Sequence, residues 1–280
     1  MDELKMEVKV RAFIKEAGID RIPVNLRKYT DRLSIDVKLV HDLDDEVAAR
    51  MFPIGQRRKV LVNARHTREK QRFTIAHEVA HVLLELSLSH EKRYLLKNTL
   101  NRFTGKSKEE TICDLCAAEL LLPEAFVERD VKCADLGFGE IRKLASRYYA
   151  SLTATAFRYA QFNPFPCAVV LSEERIIRYV KASESFKAVR SFIQIGQRLS
   201  PQTYAADLFA GRDIPHGPQT ISTDTWLDSY GGKQEYLFEE SVLISEFNQV
   251  LSLLWHEDEE EDEEDDIEEL DGHLRFRPRR

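Results

Sequence analysis

The stretch that most constrains this chain is residues 73–86, Phe-Thr-Ile-Ala-His-Glu-Val-Ala-His-Val-Leu-Leu-Glu-Leu, almost entirely apolar apart from His77, Glu78 and His81. A helix that is apolar all round is a buried helix. Two imidazoles and a carboxylate inside it are costly unless something satisfies them. His77 and His81 are four apart, so they share one helix face. This His-Glu-x-x-His spacing supplies two nitrogen ligands for one Zn²⁺, with Glu78 beside them as general base. Two core histidines bonded to backbone carbonyls would show the same spacing, so a third ligand downstream decides between the readings.

The length of 280 residues is enough for one large or two modest domains. No apolar run is long enough to cross a membrane, and the N-terminus, Met-Asp-Glu-Leu-Lys, has no signal-peptide core. Cysteines 113, 116, 133 and 167 form no disulfide framework. Together these features predict a soluble, cytoplasmic protein with reduced thiols. The net charge of −7 hides an asymmetry, because residues 257–271 hold thirteen Asp/Glu and no Lys/Arg. The rest keeps 41 basic against 35 acidic residues, a balance of +6. A mildly basic body with a disordered acidic tail is expected.

Taken in order, residues 2–17 read as an amphipathic helix with Leu4, Val8, Phe13 and Ile14 among its apolar positions, stopped by Gly18. Pro23-Val24-Asn25-Leu26 opens a short helix. Ile35–Leu39 alternates like a strand, residues 54–58 look like a turn, and Lys59–Asn63 reads as a second strand. Thr67 can cap the helix that carries the histidine pair, with Glu69 in its first turn. A strand directly before such a helix is expected either at a sheet edge, pairing with extended substrate, or as an ordinary sheet strand.

Residues 87–107 read as a loop with a partial helix. The next helix starts at Lys108 and ends at Pro123. A zinc peptidase of this type takes its third ligand from a carboxylate on a following helix, and Glu110 fits that role. Asp114, one turn on, fits the role of orienting a ligating histidine from behind. Glu109 and Glu119 are the alternatives, with Glu109 turned about 100° away from Glu110. Cys113 and Cys116 form a Cys-x-x-Cys, but in mid-helix free cysteines more commonly serve as small apolar packing.

These residues resemble the ImmA/IrrE metallopeptidase family. Arg72–His81 looks like the family's R-F-T-x-A-H-E-x-x-H segment, and Val60–Asn63 resembles the strand before it. Residues 110–123 resemble E-x-x-A-N-x-F-A-A-x-L-L-M-P, with Cys113, Asp114, Cys116 and Leu122 as departures. The resemblance covers about residues 20–160 and selects Glu110 over Glu109. It implies a small zincin-like domain, a bound zinc and cleavage of a helix-turn-helix repressor that silences stress-response or mobile-element genes. It also implies that some members are linked to toxin–antitoxin pairs.

Residues 126–163 read as a helical, helix-turn-helix-like segment. DNA contact through Arg142, Lys143, Arg147 and Arg158 is possible there but not favoured over helices packed on the peptidase domain. The break at Asn163-Pro164-Phe165-Pro166 separates residues 1–163 from a C-terminal α+β domain at 164–255, with the acidic tail at 256–280. In that domain strands are expected at Cys167–Leu171, Arg175–Val180, Tyr236–Ser245 and Val250–Trp255. A helix is expected near Ser185–Ile195, and the stretch between reads as loops, with His216 a loop residue. The fold class is therefore α+β: a zincin-like domain at 1–125, a helical extension, a C-terminal domain of regulatory or partner-binding character, and the tail. The leading functional reading is a zinc endopeptidase with Glu78 as base and His77, His81 and Glu110 as ligands. The alternative is a non-catalytic, metal-containing regulator or toxin–antitoxin component that binds a repressor or DNA.

Overall fold

A computed structural model describes residues 3–86, 107–189, 192–228, 235–245 and 248–256. The partial helix expected within 87–106 and the acidic segment 257–271 lie outside these residues. The architecture is α+β, with helices flanking two separate sheets.

The N-terminal half opens with α1 (Glu3–Glu16). Its buried side is Met6, Val10 and Phe13, a 4-then-3 spacing that faces one direction. Leu4 and Val8 point to solvent, which corrects the assignment of these residues to the packed face. After α2 (Arg27–Arg32) comes a three-stranded sheet of β1 (Ile35–Val40), β2 (Ala49–Ile54) and β3 (Arg57–Asn63). Its order is β1-β3-β2, with β1 parallel and β2 antiparallel to β3. The strand before the histidine helix is thus central, an ordinary sheet strand and not an edge. The sequence reading also missed β2, which closes a hairpin on β3 through Gly55 at φ 60°.

Next comes α3 (Arg68–Leu83), capped by Thr67, whose side chain accepts from Lys70 N. Arg72 fixes its placement: Nε donates to Tyr149 O at 3.2 Å and Nη2 donates to Val24 O at 2.9 Å. Helix α4 (Lys108–Leu121), capped by Ser107, packs alongside α3. Helices α5 (Glu124–Val131), α6 (Phe138–Tyr148) and α7 (Leu152–Phe162) follow. The α6–α7 turn uses Tyr149 in the left-handed region at φ 50°, the position where glycine is common.

The second sheet has five antiparallel strands in the order β5-β4-β8-β7-β6. They are β4 (Cys167–Glu173), β5 (Ile176–Ala182), β6 (Gln219–Ser222), β7 (Tyr236–Ile244) and β8 (Gln249–Trp255). Strands β4 and β8 are buried along their whole length because both faces are covered. On one face Cys167, Val169, Leu171, Leu251, Leu253 and Trp255 join the cluster that also holds the zincin-like core. The other face packs on α8 (Glu184–Ala188) and α9 (Tyr204–Phe209). Helix α8 is much shorter than the expected 185–195 span, and α9 and β6 occupy sequence expected to be loops. His256, assigned by sequence to the tail, is buried and stacks on Phe186 with ring centroids 5.6 Å apart.

Candidate metal centre

Three ligand-bearing side chains converge where α3 meets the first turn of α4. Nε2 of His77 lies 3.1 Å from Nε2 of His81 and 3.1 Å from Oε2 of Glu110. Nε2 of His81 lies 3.4 Å from Oε1 of Glu110. The two imidazole rings meet edge to face at 64°, so both Nε2 lone pairs aim into the same small volume.

Without a cation this arrangement is electrostatically awkward. Two ring nitrogens and a carboxylate face one another, and at most a few protons can be shared between them. A tetrahedral cation with bonds of about 2.0–2.1 Å would set ligand atoms about 3.3–3.4 Å apart, close to the observed separations. His77, His81 and Glu110 form a group able to hold a metal ion among the described residues. The donor set, two imidazoles and one carboxylate, suits zinc-type chemistry and leaves a coordination position open.

Each side chain is placed by its helix. His77 and His81 are buried on the inner face of α3, and Glu78 between them is buried as well. Glu110 stands in the first turn of α4, where its backbone N–H is capped by Ser107 Oγ at 3.2 Å, and it keeps 35% of its side chain exposed. Asp114 follows one turn later, its Oδ1 2.9 Å from Nδ1 of His77. A proton on His77 Nδ1 donated to Asp114 leaves Nε2 as the free donor toward the metal position. In the metal-free site, burial disfavours the His77 cation, but Asp114 and Glu110 outweigh it and push the pKa to about 9. The same pairing with His77, and then with His81, holds the Glu110 carboxyl far below the usual range.

The remaining sequence candidates lie elsewhere. Glu109 is exposed beside Glu110. Glu119 is buried and pairs with Arg158 at 2.6 Å. Cys113 and Cys116 are fully buried in the core around α4, and burial pushes both thiols up. Arg158, named as a possible DNA contact, is buried and also donates to Leu122 O at 3.0 Å. That corrects its assignment to a DNA-facing surface. Arg147 pairs with Asp130 at 3.2 Å and Lys143 pairs with Glu140, while Arg142 is exposed. Among the described residues no helix is long and apolar enough to cross a membrane.

A buried His-Glu-x-x-His helix beside a carboxylate-bearing helix, on a small α+β scaffold, defines a zincin-like metal centre. Residues 31–159 match the IrrE N-terminal-like domain family. The chain is 28% identical over 208 residues to the radiation response metalloprotease IrrE of Deinococcus deserti, covering 69% of this chain and 70% of that protein. It is 28% identical over 110 residues to the protein of the same name from Deinococcus radiodurans, covering 38% of this chain and 32% of the relative. Among solved structures it is similar to a Mycobacterium tuberculosis transcriptional regulator, with a TM-score of 0.59 at 14% identity. That likeness spans 90% of this chain and 76% of the other and concerns the fold alone.

Proposed function

We propose that the chain is a zinc-dependent endopeptidase that cleaves a helix-turn-helix transcriptional repressor. The observation that carries the peptidase reading is the convergence of His77, His81 and Glu110 within hydrogen-bonding distance, with Glu78 buried next to His77 on the same helix. The similarity to proteins named metalloproteases supports it. The repressor substrate follows from the family resemblance, and its supporting feature here is the matching domain at 31–159.

In this reading His77, His81 and Glu110 hold the zinc, and Asp114 fixes the His77 tautomer. A zinc ion held there supplies Lewis-acid polarisation of the scissile carbonyl and lowers the pKa of water toward about 7. Glu78 takes the proton of the attacking water and delivers it to the leaving amine. A metal used only for structure has no need of Glu78. The deciding experiment is Glu78→Gln, because the amide retains shape but accepts no proton. Zinc content and fold should persist while cleavage of the repressor falls by at least about 10²-fold. Near-normal turnover would remove Glu78 from the mechanism. Binding of the repressor with no cleavage by the zinc-loaded wild-type chain would favour a non-catalytic regulator.

A further inference from the structure

The sheet β1-β3-β2 has one face on the core, through Ile35, Val37, Ala49, Met51, Val60 and Val62. Alternation turns Lys38, Arg57, Lys59, Phe52 and Ile54 to the opposite face. The strand register sets Lys59 opposite Phe52 and Arg57 opposite Ile54, so cations and apolar side chains interleave. Asp36, registered with Lys59, is the one carboxylate in these rows. Phe52 and Ile54 are 42% and 56% exposed. Among the described residues, Lys38, Lys59 and Arg57 have no ion-pair partner. A face with three unpaired cations and two exposed apolar side chains is suited to a polyanion that also carries apolar groups.

We propose that this face docks the chain's own acidic segment, residues 257–271. The segment carries thirteen carboxylates and no cation, and it includes two apolar residues, Ile267 and Leu270, of the type that the exposed Phe52 and Ile54 could accommodate. It leaves the body directly after His256, whose N–H bonds Pro166 O at the end of β8. A compact chain of this length has a radius of gyration of about 19 Å. The fifteen residues can reach about 50 Å when extended, so the sheet is within range. A tethered ligand of this kind acts at an effective concentration of order millimolar, so weak contacts suffice. The docked segment shields the sheet from other polyanions and is released by salt.

The test is zero-length carbodiimide coupling of the full-length protein, followed by peptide mapping. Isopeptide bonds should join Lys38 or Lys59 to carboxylates of 257–271 within one chain. Their yield should fall at least about fivefold between about 0.05 M and about 0.5 M NaCl, as the Debye length drops from about 14 Å to about 4 Å. Arg57→Gln should lower coupling at Lys59, whereas Lys187→Gln on α8 should leave it unchanged. Coupling spread over surface lysines according to exposure, coupling only between chains, or a yield insensitive to salt would each overturn the proposal. A labelled single-stranded oligonucleotide that binds through Lys38 and Lys59 equally well with and without residues 257–280 would assign the face to nucleic acid and overturn it too.

Discussion

Asp114 stands one helical turn beyond Glu110 on α4, its Oδ1 2.9 Å from Nδ1 of His77. Two positions four residues apart on one helix therefore address opposite nitrogens of one imidazole, Glu110 from the Nε2 side and Asp114 from the Nδ1 side. Asp114→Ala should weaken metal binding about 10–100-fold, read by chelator competition, with little change in fold. Asp114→Asn should cost far less, because its amide oxygen still accepts the Nδ1 proton. Equal losses in the two variants would mean that charge, not orientation, is what Asp114 provides.

Removal of the ligands themselves should act on content instead of affinity. Purified chain should carry about one zinc, and His77→Ala with His81→Ala should abolish it. Cys113→Ala and Cys116→Ala should leave that stoichiometry intact and cost about 1 kcal/mol each in stability. Elemental analysis decides the matter: zinc retained in the double histidine variant and lost with the cysteines would move the site to the thiols.

The Arg158–Glu119 pair should behave as a buried ion pair. Burial pushes the Glu119 carboxyl up and the Arg158 guanidinium down, and each group opposes the shift of the other. Arg158→Ala should destabilise the chain by about 3–5 kcal/mol in urea unfolding, because Glu119 is left buried and unpaired. Adding Glu119→Gln should return part of that loss. A stability unchanged by Arg158→Ala would contradict the pairing.

The two sides of α1 give a contrast in one helix. Met6→Ala, from a site 2% exposed, should cost about 2–5 kcal/mol. Leu4→Ala, from a site 71% exposed, should stay within about 0.5 kcal/mol. Chemical denaturation of the two variants in parallel checks the assignment of faces.

The histidine helix with its Thr67 cap and the carboxylate helix were legible because each rests on local signals: spacing, Thr67 at one start and Pro123 after the other end, whereas the Ser107 cap of the second helix was not read from the sequence. The α1 face was not, since Leu4, Met6, Val8 and Val10 are all apolar and only the packing partner selects among them. Strand β2 was hidden by Pro53, which argues against a strand in general. At the sheet edge its missing N–H costs no ladder bond. Helix α9 was obscured by the prolines and glycines around it, although Thr203 caps it and accepts from Ala206 N. The burial of Arg158 had no local signal at all, because its partner is on another helix, 39 positions earlier in the chain.

One apolar cluster runs from Met6 in α1 through α7 to Trp255 in β8. Glu240 of β7 fastens the same junction by accepting the N–H of Phe138 at 2.7 Å, at the start of α6. Heat therefore has no seam to open between the metal helices and the second sheet. A calorimetric scan should record one cooperative event, and a substitution deep in β8 should lower the temperature at which the helix carrying His77 and His81 melts, although β8 lies far from it along the chain. A substitution that loosens the second sheet should therefore also lower the stability of the helix that carries His77 and His81.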